Sequence, residues 1–465
     1  MGFFGGINRF STMMAMVLTL AVQQNVPLAG EGPCDIYAAA GTPCVAAYST
    51  VRVLSSTYKG PLYQVRKTSD KTTKDISQTA DGFANSKDQD DFLGSNAGTI
   101  SKLYDQSGKG NDLTVAKKGS YTGTAAQDDK ESNAKGLKIM VNGHSVYAIY
   151  AKSTEGYRAK QEGYSGYPAK VAASAGMPTG NQPQGIYMLT DGSRPNIGCC
   201  CCFDFGNASL DNAAGGTGMM NTLFFGIGYW GKGAGSGPWF ENDMEAGVWA
   251  GGSGASNAVN SKLPSSKFNY AFGITKTSTS GTPQYAIRVA SGTVGNGASP
   301  DLVTAYDGQA PSTWKQQGGI VLGIGGDNSN SSDWTFYEGC ITAGRPSDAT
   351  DALILKNISA ARYGANDVAI APGANDASPA SLYKVRYNPT AASAVISYTL
   401  QDARRVSMNV YDQQGRQTAA IVDGVIPAGL HKAVWDANSV PAGVYVCKVT
   451  VEGRNRWTNR IVIAK

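Results

Sequence analysis

Residues Gly318 to Asn330 read Gly-Gly-Ile-Val-Leu-Gly-Ile-Gly-Gly-Asp-Asn-Ser-Asn, an apolar run enclosed by glycines. Short apolar or β-branched runs between such breakers are typical of strands. The pattern recurs from about residue 34 to residue 364, for example in Gly136-Leu-Lys-Ile-Met-Val-Asn-Gly-His. We therefore predict an all-β fold whose larger part is a β-sandwich of the jelly-roll or concanavalin-like type. One helix is predicted at Asp348 to Ala361, where apolar residues recur at helical spacing.

The composition agrees with this fold class. The chain has 465 residues, which corresponds to two or three domains, and only 16% of them are charged. Glycine occurs 58 times and tyrosine 23 times. Such a composition favours turns and strands over exposed amphipathic helices, so an extracellular all-β protein is the expected class.

A second, smaller domain is predicted at the C-terminal end. Residues 365–380 are rich in Ala, Asn, Asp, Pro and Gly, which is typical of a linker. Residues 381–465 contain alternating segments such as Ala394-Val-Ile-Ser-Tyr-Thr-Leu, which predict a small immunoglobulin-like β-sandwich. This region has 11 Lys and Arg against 5 Asp and Glu, a charge of +6, whereas the whole chain has +5. The larger part therefore has no excess of positive charge, and nucleic acid is not expected as a partner.

The N-terminal segment has the pattern of a signal peptide. Arg9 precedes an apolar run from Met13 to Val22, which has the length of a signal-peptide core and is too short to span a bilayer. We predict that residues 1–29 are a signal peptide and that the chain has no transmembrane segment. A buried first strand is the alternative.

Eight cysteines in a chain predicted to be exported indicate disulfide bonds. Cys34 and Cys44 are ten residues apart around a Gly-Thr-Pro turn, a spacing that a local disulfide can close. Cys199, Cys200, Cys201 and Cys202 are consecutive, and Cys199 with Cys202 resembles half of a zinc site. The chain offers no second ligand pair and only two histidines, so no metal is predicted. The sequence leaves the pairing of Cys199, Cys200, Cys340 and Cys447 open.

Carboxylates are the side chains that could perform chemistry, because two histidines without a serine-nucleophile motif give little support for acyl transfer. Most glycosidases use two carboxyl groups. Alternation along Trp239-Phe-Glu-Asn-Asp-Met-Glu places Glu241, Asp243 and Glu245 on one face of a predicted strand. A solvent-facing polar edge is the alternative for these three residues.

Asp327 is the second carboxylate of interest. It follows an apolar strand and a glycine pair, where glycine lets a ligand approach the backbone closely. A carboxylate at the end of a strand can project into a cleft. An Asx turn or a calcium loop explains Asp327-Asn-Ser-Asn equally well.

Several further segments occur in one order along the chain: Gly32-Pro-Cys-Asp-Ile-Tyr, Thr42-Pro-Cys-Val-Ala-Ala, Tyr104-Asp-Gln-Ser-Gly, Cys201-Cys-Phe-Asp-Phe-Gly-Asn-Ala, Gly237-Pro-Trp, Asp243-Met-Glu, Leu322-Gly-Ile-Gly-Gly-Asp-Asn-Ser-Asn and Thr335-Phe-Tyr-Glu-Gly. Together they resemble the catalytic domain of the family 54 α-L-arabinofuranosidases. The resemblance implies that residues 30–364 form this domain and that it needs no cofactor. It also implies an exo-acting enzyme that removes arabinofuranose from arabinoxylan or arabinan, plant cell-wall polysaccharides, with retention of configuration.

The resemblance also implies the roles of individual residues. Glu245 is the expected nucleophile, which must be ionised at the working pH, and Asp327 is the expected general acid/base. Cys201 and Cys202 are expected to form a vicinal disulfide under the sugar ring. The other expected substrate-binding residues are Asp243, Trp230, Asp204, Gly326 and Asn328. Ala246 and Gly247 stand where the family typically has asparagines, so a catalytically inactive carbohydrate-binding protein is the alternative function.

The C-terminal domain resembles the sorting domain of the bacterial type IX secretion system. The resemblance rests on the turn Tyr411 to Arg416, on Trp435-Asp436 and on Pro441-Ala-Gly-Val-Tyr. It implies that the chain contacts an export machinery and is secreted or attached to the cell surface. A carbohydrate-binding or spacer module is the alternative.

Overall fold

The structure, a computed structural model, describes residues 1–2, 31–194, 201–213, 215–228, 230–279, 282–295, 297–364, 380–388, 393–400, 403–427, 429–451 and 454–463. The predicted signal peptide lies outside the described residues except for its first two. The predicted linker also lies outside them except for Ala380, which begins the first strand of the C-terminal domain. Both predictions therefore stay predictions.

The larger part of the chain consists mainly of strands. Its helices are α1 (Pro33–Ala39), α2 (Ser86–Leu93) and α3 (Asp348–Ala360). Its strands are β1 (Cys44–Ser49), β2 (Tyr63–Lys67), β3 (Thr73–Ile76), β4 (Gly98–Leu103), β5 (Leu113–Val115), β6 (Leu137–Val141), β7 (His144–Ala151), β8 (Tyr157–Ala159), β9 (Gln184–Thr190), β10 (Asp204–Ala208), β11 (Asn221–Gly226), β12 (Lys232–Gly233), β13 (Trp239–Asp243), β14 (Val248–Trp249), β15 (Val259–Asn260), β16 (Ala271–Ser278), β17 (Gln284–Ala290), β18 (Leu302–Gln309), β19 (Gly319–Leu322), β20 (Trp334–Phe336) and β21 (Glu338–Ala343).

Two large antiparallel sheets form the sandwich. One has the strand order β1-β21-β9-β16-β17-β18, and the other has the order β14-β13-β11-β10-β19-β8-β5-β4-β2-β3. Their inner faces meet through aromatic rings. Phe240 on β13 packs on Gly273 of β16, where an added Cβ would lie 2.3 Å from the ring. Phe205 on β10 meets Tyr48 on β1 with 6.1 Å between ring centroids. The predicted all-β sandwich is confirmed.

The three helices differ in how far the sequence predicts them. The helix α3 begins at the predicted residue, because Ser347 caps it by accepting a hydrogen bond from the Thr350 N–H. It ends one residue before the predicted end. Ile354 and Ile358 on its inner face are buried. The helices α1 and α2 were not predicted. Both are short, so they do not develop a helical apolar period that the sequence would reveal.

A disulfide joins Cys34 in α1 to Cys44 at the start of β1, with 5.4 Å between the Cα atoms. Cys340 is a buried free cysteine whose Sγ lies 3.7 Å from the Cys34 Sγ. A single substitution would leave a thiol beside Cys340, so the informative variant replaces both bonded cysteines. We expect Cys34→Ser with Cys44→Ser to lower the free energy of unfolding by about 3 kcal/mol, because a loop of this length is no longer closed in the unfolded chain. Denaturant unfolding measures this loss, and an unchanged midpoint would contradict it.

The C-terminal domain is a separate small β-sandwich. Its strands are β22 (Ala380–Asn388), β23 (Ser393–Leu400), β24 (Arg404–Tyr411), β25 (Gln417–Ile426), β26 (Gly429–Asp436), β27 (Gly443–Val451) and β28 (Arg454–Ile463). They form two antiparallel sheets, β22-β23-β26 and β25-β24-β27-β28. Every second residue of β24, namely Val406, Met408 and Val410, is buried in one core with Trp435. This alternation is the pattern that predicted the strands.

Cys447, on β27, is a buried free cysteine.

In the part of the chain that the structure describes, helices of a length and hydrophobicity sufficient to cross a bilayer are absent.

Candidate active site

The strand β13 presents two faces with different surroundings. Phe240 and Asn242 point to the interior of the sandwich, where the Asn242 side-chain amide donates to Thr275 Oγ1 of β16 at 2.9 Å. Since successive side chains alternate, Glu241 and Asp243 point to the outer face of the ten-stranded sheet. Both are buried there. The outer face therefore carries buried carboxyl groups under a cover of loops.

Glu245 reaches this face from a turn and not from the strand. The strand β13 ends at Asp243, and Glu245 and Ala246 have φ angles of 62° and 56°. The N–H of Glu245 donates to Asp243 Oδ1 at 2.8 Å, which holds the turn. The prediction that strand alternation would carry Glu245 was therefore wrong. A left-handed conformation of two consecutive non-glycine residues is uncommon and is concentrated at functional sites.

Asp327 lies in the loop that follows β19. Its Oδ1 accepts the Ser329 N–H at 2.9 Å, and its carbonyl accepts the Tyr121 N–H at 3.0 Å. The first contact is the Asx turn that the sequence left open as an alternative. The turn and a site role coexist, since an added Cβ on the preceding Gly326 would lie 3.0 Å from Glu245 Oε2. The absence of a side chain at Gly326 brings the two carboxyl-bearing segments together.

A cavity of about 400 Å³ lies between these segments. Its lining includes seven of the nine residues predicted for the site, together with six others. The lining residues are Tyr121, Cys201, Cys202, Met220, Trp230, Asp243, Glu245, Ala246, Gly247, Gly325, Gly326, Asp327 and Ser329.

Asp204 and Asn328 were predicted to bind substrate, but neither lines the cavity. Asp204 is fully buried on β10 and accepts the Thr222 hydroxyl at 2.7 Å. The Asn328 side-chain amide points away to the carbonyl of Gln127 at 3.4 Å. A carboxyl oxygen of Asp204 lies within 4.8 Å of Asp243 and of the Cys201 and Cys202 sulfur atoms, so Asp204 borders the lining, and Asn328 has a left-handed φ of 65°. A contact of either side chain with the substrate stays a prediction.

The vicinal pair Cys201 and Cys202 forms a disulfide that lines the cavity. The Cys202 Sγ lies 4.0 Å from Asp243 Oδ2 and 3.6 Å from Ser329 Oγ. Sulfur atoms of this pair and carboxyl oxygens of Asp204 and Asp243 lie within 4.8 Å of one another. Disulfide sulfur is not the thiolate that zinc sites use, so this grouping is not a zinc centre of the cysteine type. Cys199 and Cys200 lie outside the described residues.

Sequence reasoning missed the remaining polar and sulfur contacts of the cavity. Met220 Sδ accepts the Gly326 N–H at 3.2 Å, and Tyr121 shares a hydrogen bond of 3.1 Å with Ser331 Oγ. The fully buried Arg158 donates to the Gly326 carbonyl at 3.0 Å from below. These three residues come from separate parts of the chain and have no local motif, so only a three-dimensional contact reveals them.

Burial and mutual repulsion control the ionisation of the carboxyl groups. The pKa of Glu245 is raised from 4.5 to about 7, first by burial and then by the charge of Asp327, while a hydrogen bond from the Ala246 N–H and the positive charge of Arg158 oppose this rise. Burial also raises the pKa of Asp204 to about 8 and that of Asp243 well above its usual value. Interacting carboxyl groups of this kind bind and release protons as a set. Near neutral pH the set retains protons that isolated carboxyl groups would have lost.

Glu241 is a buried carboxyl group outside the cavity. Both of its carboxyl oxygens are buried without a hydrogen-bond partner among the described residues, and burial raises its pKa from 4.5 to about 8. The unfolded chain loses this proton near pH 4.5, whereas the folded protein keeps it to about pH 8. Folding stability therefore decreases between these two pH values, by about 5 kcal/mol in total.

We expect Glu241→Met to remove this pH dependence, because methionine has a similar length and no charge. The stability gain over the parent should be larger at pH 8.5 than at pH 5 in thermal unfolding. Glu131→Met, at a half-exposed carboxylate that pairs with Arg66, is the matched control and should give no such gain. An equal gain at both pH values would show that Glu241 is already ionised and solvated in the folded protein.

Two carboxyl groups that share one sugar-sized cavity on a β-sandwich, with no histidine among the residues that line it, define a glycoside hydrolase of the paired-carboxylate class. The family model "Alpha-L-arabinofuranosidase B, catalytic" matches residues 33–364. The chain belongs to this α-L-arabinofuranosidase B catalytic-domain family, as the resemblance predicted.

Curated relatives and solved structures agree with this assignment. A probable α-L-arabinofuranosidase B of Aspergillus fumigatus is 39% identical over 401 residues, which are 83% of this chain and 74% of the relative. An arabinofuranosidase/β-xylosidase of Trichoderma koningii is 39% identical over 76% of this chain and 67% of its own length. A family 54 α-L-arabinofuranosidase soaked with a cyclic sulfate inhibitor superposes with a TM-score of 0.63, at 36% identity over 80% of this chain and 73% of that chain. An arabinofuranosidase complexed with arabinofuranosyl-α-1,2-xylobiose superposes with a TM-score of 0.64, at 32% identity over 91% of this chain and 81% of that chain.

Proposed function

We propose that this chain is an exo-acting α-L-arabinofuranosidase that releases terminal arabinofuranosyl residues with retention of configuration. The observation that carries the proposal is the cavity shared by Glu245 and Asp327. An added Cβ on Gly326, the residue before Asp327, would lie 3.0 Å from Glu245 Oε2, so the segments that carry the two carboxyl groups are near neighbours. A close pair of carboxyl groups suits the retaining mechanism, which needs no room for a water between the nucleophile and the sugar.

The reaction takes place in two displacements. In the first, ionised Glu245 attacks the anomeric carbon while protonated Asp327 gives its proton to the departing glycosidic oxygen. A covalent arabinosyl ester forms on Glu245, and its negative charge disappears. In the second displacement, ionised Asp327 takes a proton from water, and the resulting hydroxide equivalent attacks the anomeric carbon and releases Glu245. One bond forms and one breaks in each step, and Asp327 returns to its protonated form.

The other lining residues suit a furanose ring. The Cys201–Cys202 disulfide and the Trp230 side chain provide apolar surfaces for the faces of a sugar. Asp243 uses Oδ1 to accept the Glu245 N–H, so its Oδ2 is left for a hydrogen bond with a sugar hydroxyl. No step of this scheme uses a cofactor or a metal. Arabinoxylan or arabinan side chains are the proposed substrates.

Product stereochemistry tests this function. The purified chain should release 4-nitrophenol from 4-nitrophenyl α-L-arabinofuranoside. Proton NMR during the reaction should show the α anomer of arabinose before mutarotation, and the β anomer as first product would exclude double displacement. Digests of arabinoxylan and debranched arabinan, analysed for free arabinose and for shortened backbones, distinguish exo from endo action and identify the preferred polysaccharide.

A catalytically inactive carbohydrate-binding protein is the second candidate function. Ala246 and Gly247 line the cavity and offer no polar side chain to a sugar hydroxyl. Binding of arabinose without any release of 4-nitrophenol, measured by calorimetry and by the aryl-glycoside assay, would decide for this function. Turnover would decide against it.

The C-terminal domain is proposed to be an export module of the type IX kind, so that the protein is secreted or held at the cell surface. The seven-strand, two-sheet sandwich and the turn from Tyr411 to Arg416 support this proposal. In a bacterium with this secretion system, the full chain should appear outside the cell and a chain that ends at Gly364 should stay inside. Equal export of both chains would favour a carbohydrate-binding or spacer module.

A further inference from the structure

Arg158 is a buried cation directly behind the cavity. It lies at the middle of β8, opposite Val321 of β19 and Thr114 of β5, and its residue exposure is 0%. Its guanidinium group donates to two carbonyl oxygens, that of Gly326 at 3.0 Å and that of Ser209. Its Nε has no hydrogen-bond partner among the described residues. Gly326 directly precedes Asp327, so Arg158 holds the backbone of the loop that carries this carboxyl group.

The other buried arginines of this domain are neutralised in a different way. Arg52 contacts Glu338 at 2.6 Å, and Arg288 contacts Asp351 at 2.7 Å. Within the described residues, the ion pairs closer than 4 Å do not include Arg158. A buried charge without a nearby counterion lowers the free energy of unfolding. We therefore expect negative charge at somewhat longer range from Arg158.

That negative charge is available in the cavity wall. The groups that act electrostatically on Arg158 are Tyr164, Asp211, Asp327 and Glu245. The last two line the cavity, and their charges also raise the pKa values of Asp204 and Asp243, next to burial. Burial lowers the pKa of Arg158 to about 10, so the guanidinium stays protonated at neutral pH. Arg158 therefore contributes positive charge behind a set of carboxyl groups that repel one another.

We propose that Arg158 is a positioning residue for the hydrolytic reaction, which holds the Asp327 loop through Gly326 and keeps Glu245 ionised by its positive charge. This inference rests on the proposed function. Burial and Asp327 both disfavour the ionised form of Glu245, whereas the Ala246 N–H, which donates to Glu245 Oε1 at 3.4 Å, and the positive charge of Arg158 both favour it. Without the guanidinium, Glu245 would become ionised only at a higher pH, and the fraction of enzyme with a competent nucleophile at low pH would decrease.

The pH dependence of kcat/KM distinguishes this electrostatic role from a structural one, since its acidic limb reports ionisation in the free enzyme. The informative variants are Arg158→Met and Arg158→Gln, which remove the charge, and Arg158→Lys, which keeps it. With 4-nitrophenyl α-L-arabinofuranoside, we expect the acidic limb of both neutral variants to move up by about one pH unit, which is a ~10-fold loss of rate below it. The lysine variant should keep its acidic limb within about 0.3 pH unit of the parent.

Arg288→Met is the matched control, because it removes a buried arginine far from the cavity while Lys276 still contacts Asp351 at 2.6 Å. It should lower the melting temperature and leave the pH profile unchanged. If the methionine variant does not fold, the glutamine variant, which keeps an amide donor for the Gly326 carbonyl, provides the same comparison.

Three results would overturn the inference. The first is an equal loss of rate at every pH with an unmoved acidic limb, which would make Arg158 purely structural. The second is a lysine profile that moves as far as the methionine profile, and the third is a shift in the Arg288→Met control. A parent chain that does not release 4-nitrophenol at any pH would instead contradict the proposed function.

Discussion

Replacing Glu245 with glutamine is expected to lower kcat for 4-nitrophenyl α-L-arabinofuranoside by about 10⁴-fold or more. An amide is a poor nucleophile, and the covalent arabinosyl ester cannot form on it. The substitution keeps the size of the side chain and leaves the Glu245 N–H to Asp243 contact intact, so the cavity should still bind the sugar. Steady-state kinetics measure the loss, and calorimetry with arabinose measures the retained binding.

Glu241→Gln is the matched control for this prediction. Glu241 lies on the same strand and the same outer face as Asp243 but does not line the cavity, so its variant should keep nearly full activity. Both variants should melt cooperatively, which excludes unfolding as the cause of the loss. Turnover within about tenfold of the parent in Glu245→Gln would remove this residue from the mechanism.

Replacing Asp327 with asparagine should separate the two displacements. Asparagine keeps an Oδ1 acceptor for the Ser329 N–H, so the turn is preserved while the transferable proton is lost. An aryl leaving group departs without much protonation, whereas an alkoxide of a polysaccharide does not. We therefore expect release of arabinose from arabinoxylan to decrease by about 10³-fold or more, and the aryl substrate to give a burst of 4-nitrophenol followed by slow turnover.

Azide provides the decisive observation for Asp327. This anion attacks the arabinosyl ester without help from a base, so added azide should restore steady turnover of the aryl substrate and yield arabinosyl azide of retained configuration. Asp333 lies on the same loop as Asp327 and forms an exposed ion pair with Lys152. Asp333→Asn is therefore the control and should behave as the parent does. Equal losses on both substrates without azide rescue would assign Asp327 a structural role.

Local patterns in the sequence were sufficient for much of the fold. Alternation predicts strands such as β24, where Val406, Met408 and Val410 face the core of the C-terminal domain. A cap and a helical period predict α3, and a spacing of ten residues allows the Cys34–Cys44 disulfide. These features depend on residues that are close together in the chain, so they can be recognised from the sequence alone.

The site was predicted less completely. The motifs identify Glu245 and Asp327, but the alternation argument carried β13 two residues too far, because it could not foresee the left-handed turn at Glu245. Asp204 and Asn328 belong to motifs of the site, yet neither lines the cavity. A motif states which residues occur together, and the backbone conformation decides where each side chain points.

The amino-acid sequence by itself determined the all-β class, the disulfide at the N-terminal end of the sandwich and the membership of the family, because each follows from local periodicity or ordered motifs. The tertiary structure alone decided that Gly326 brings Asp327 beside Glu245 and that Arg158 lies behind them. The physical reason is that pKa values and cavity walls arise from burial and from charges that are distant in the chain and close in space.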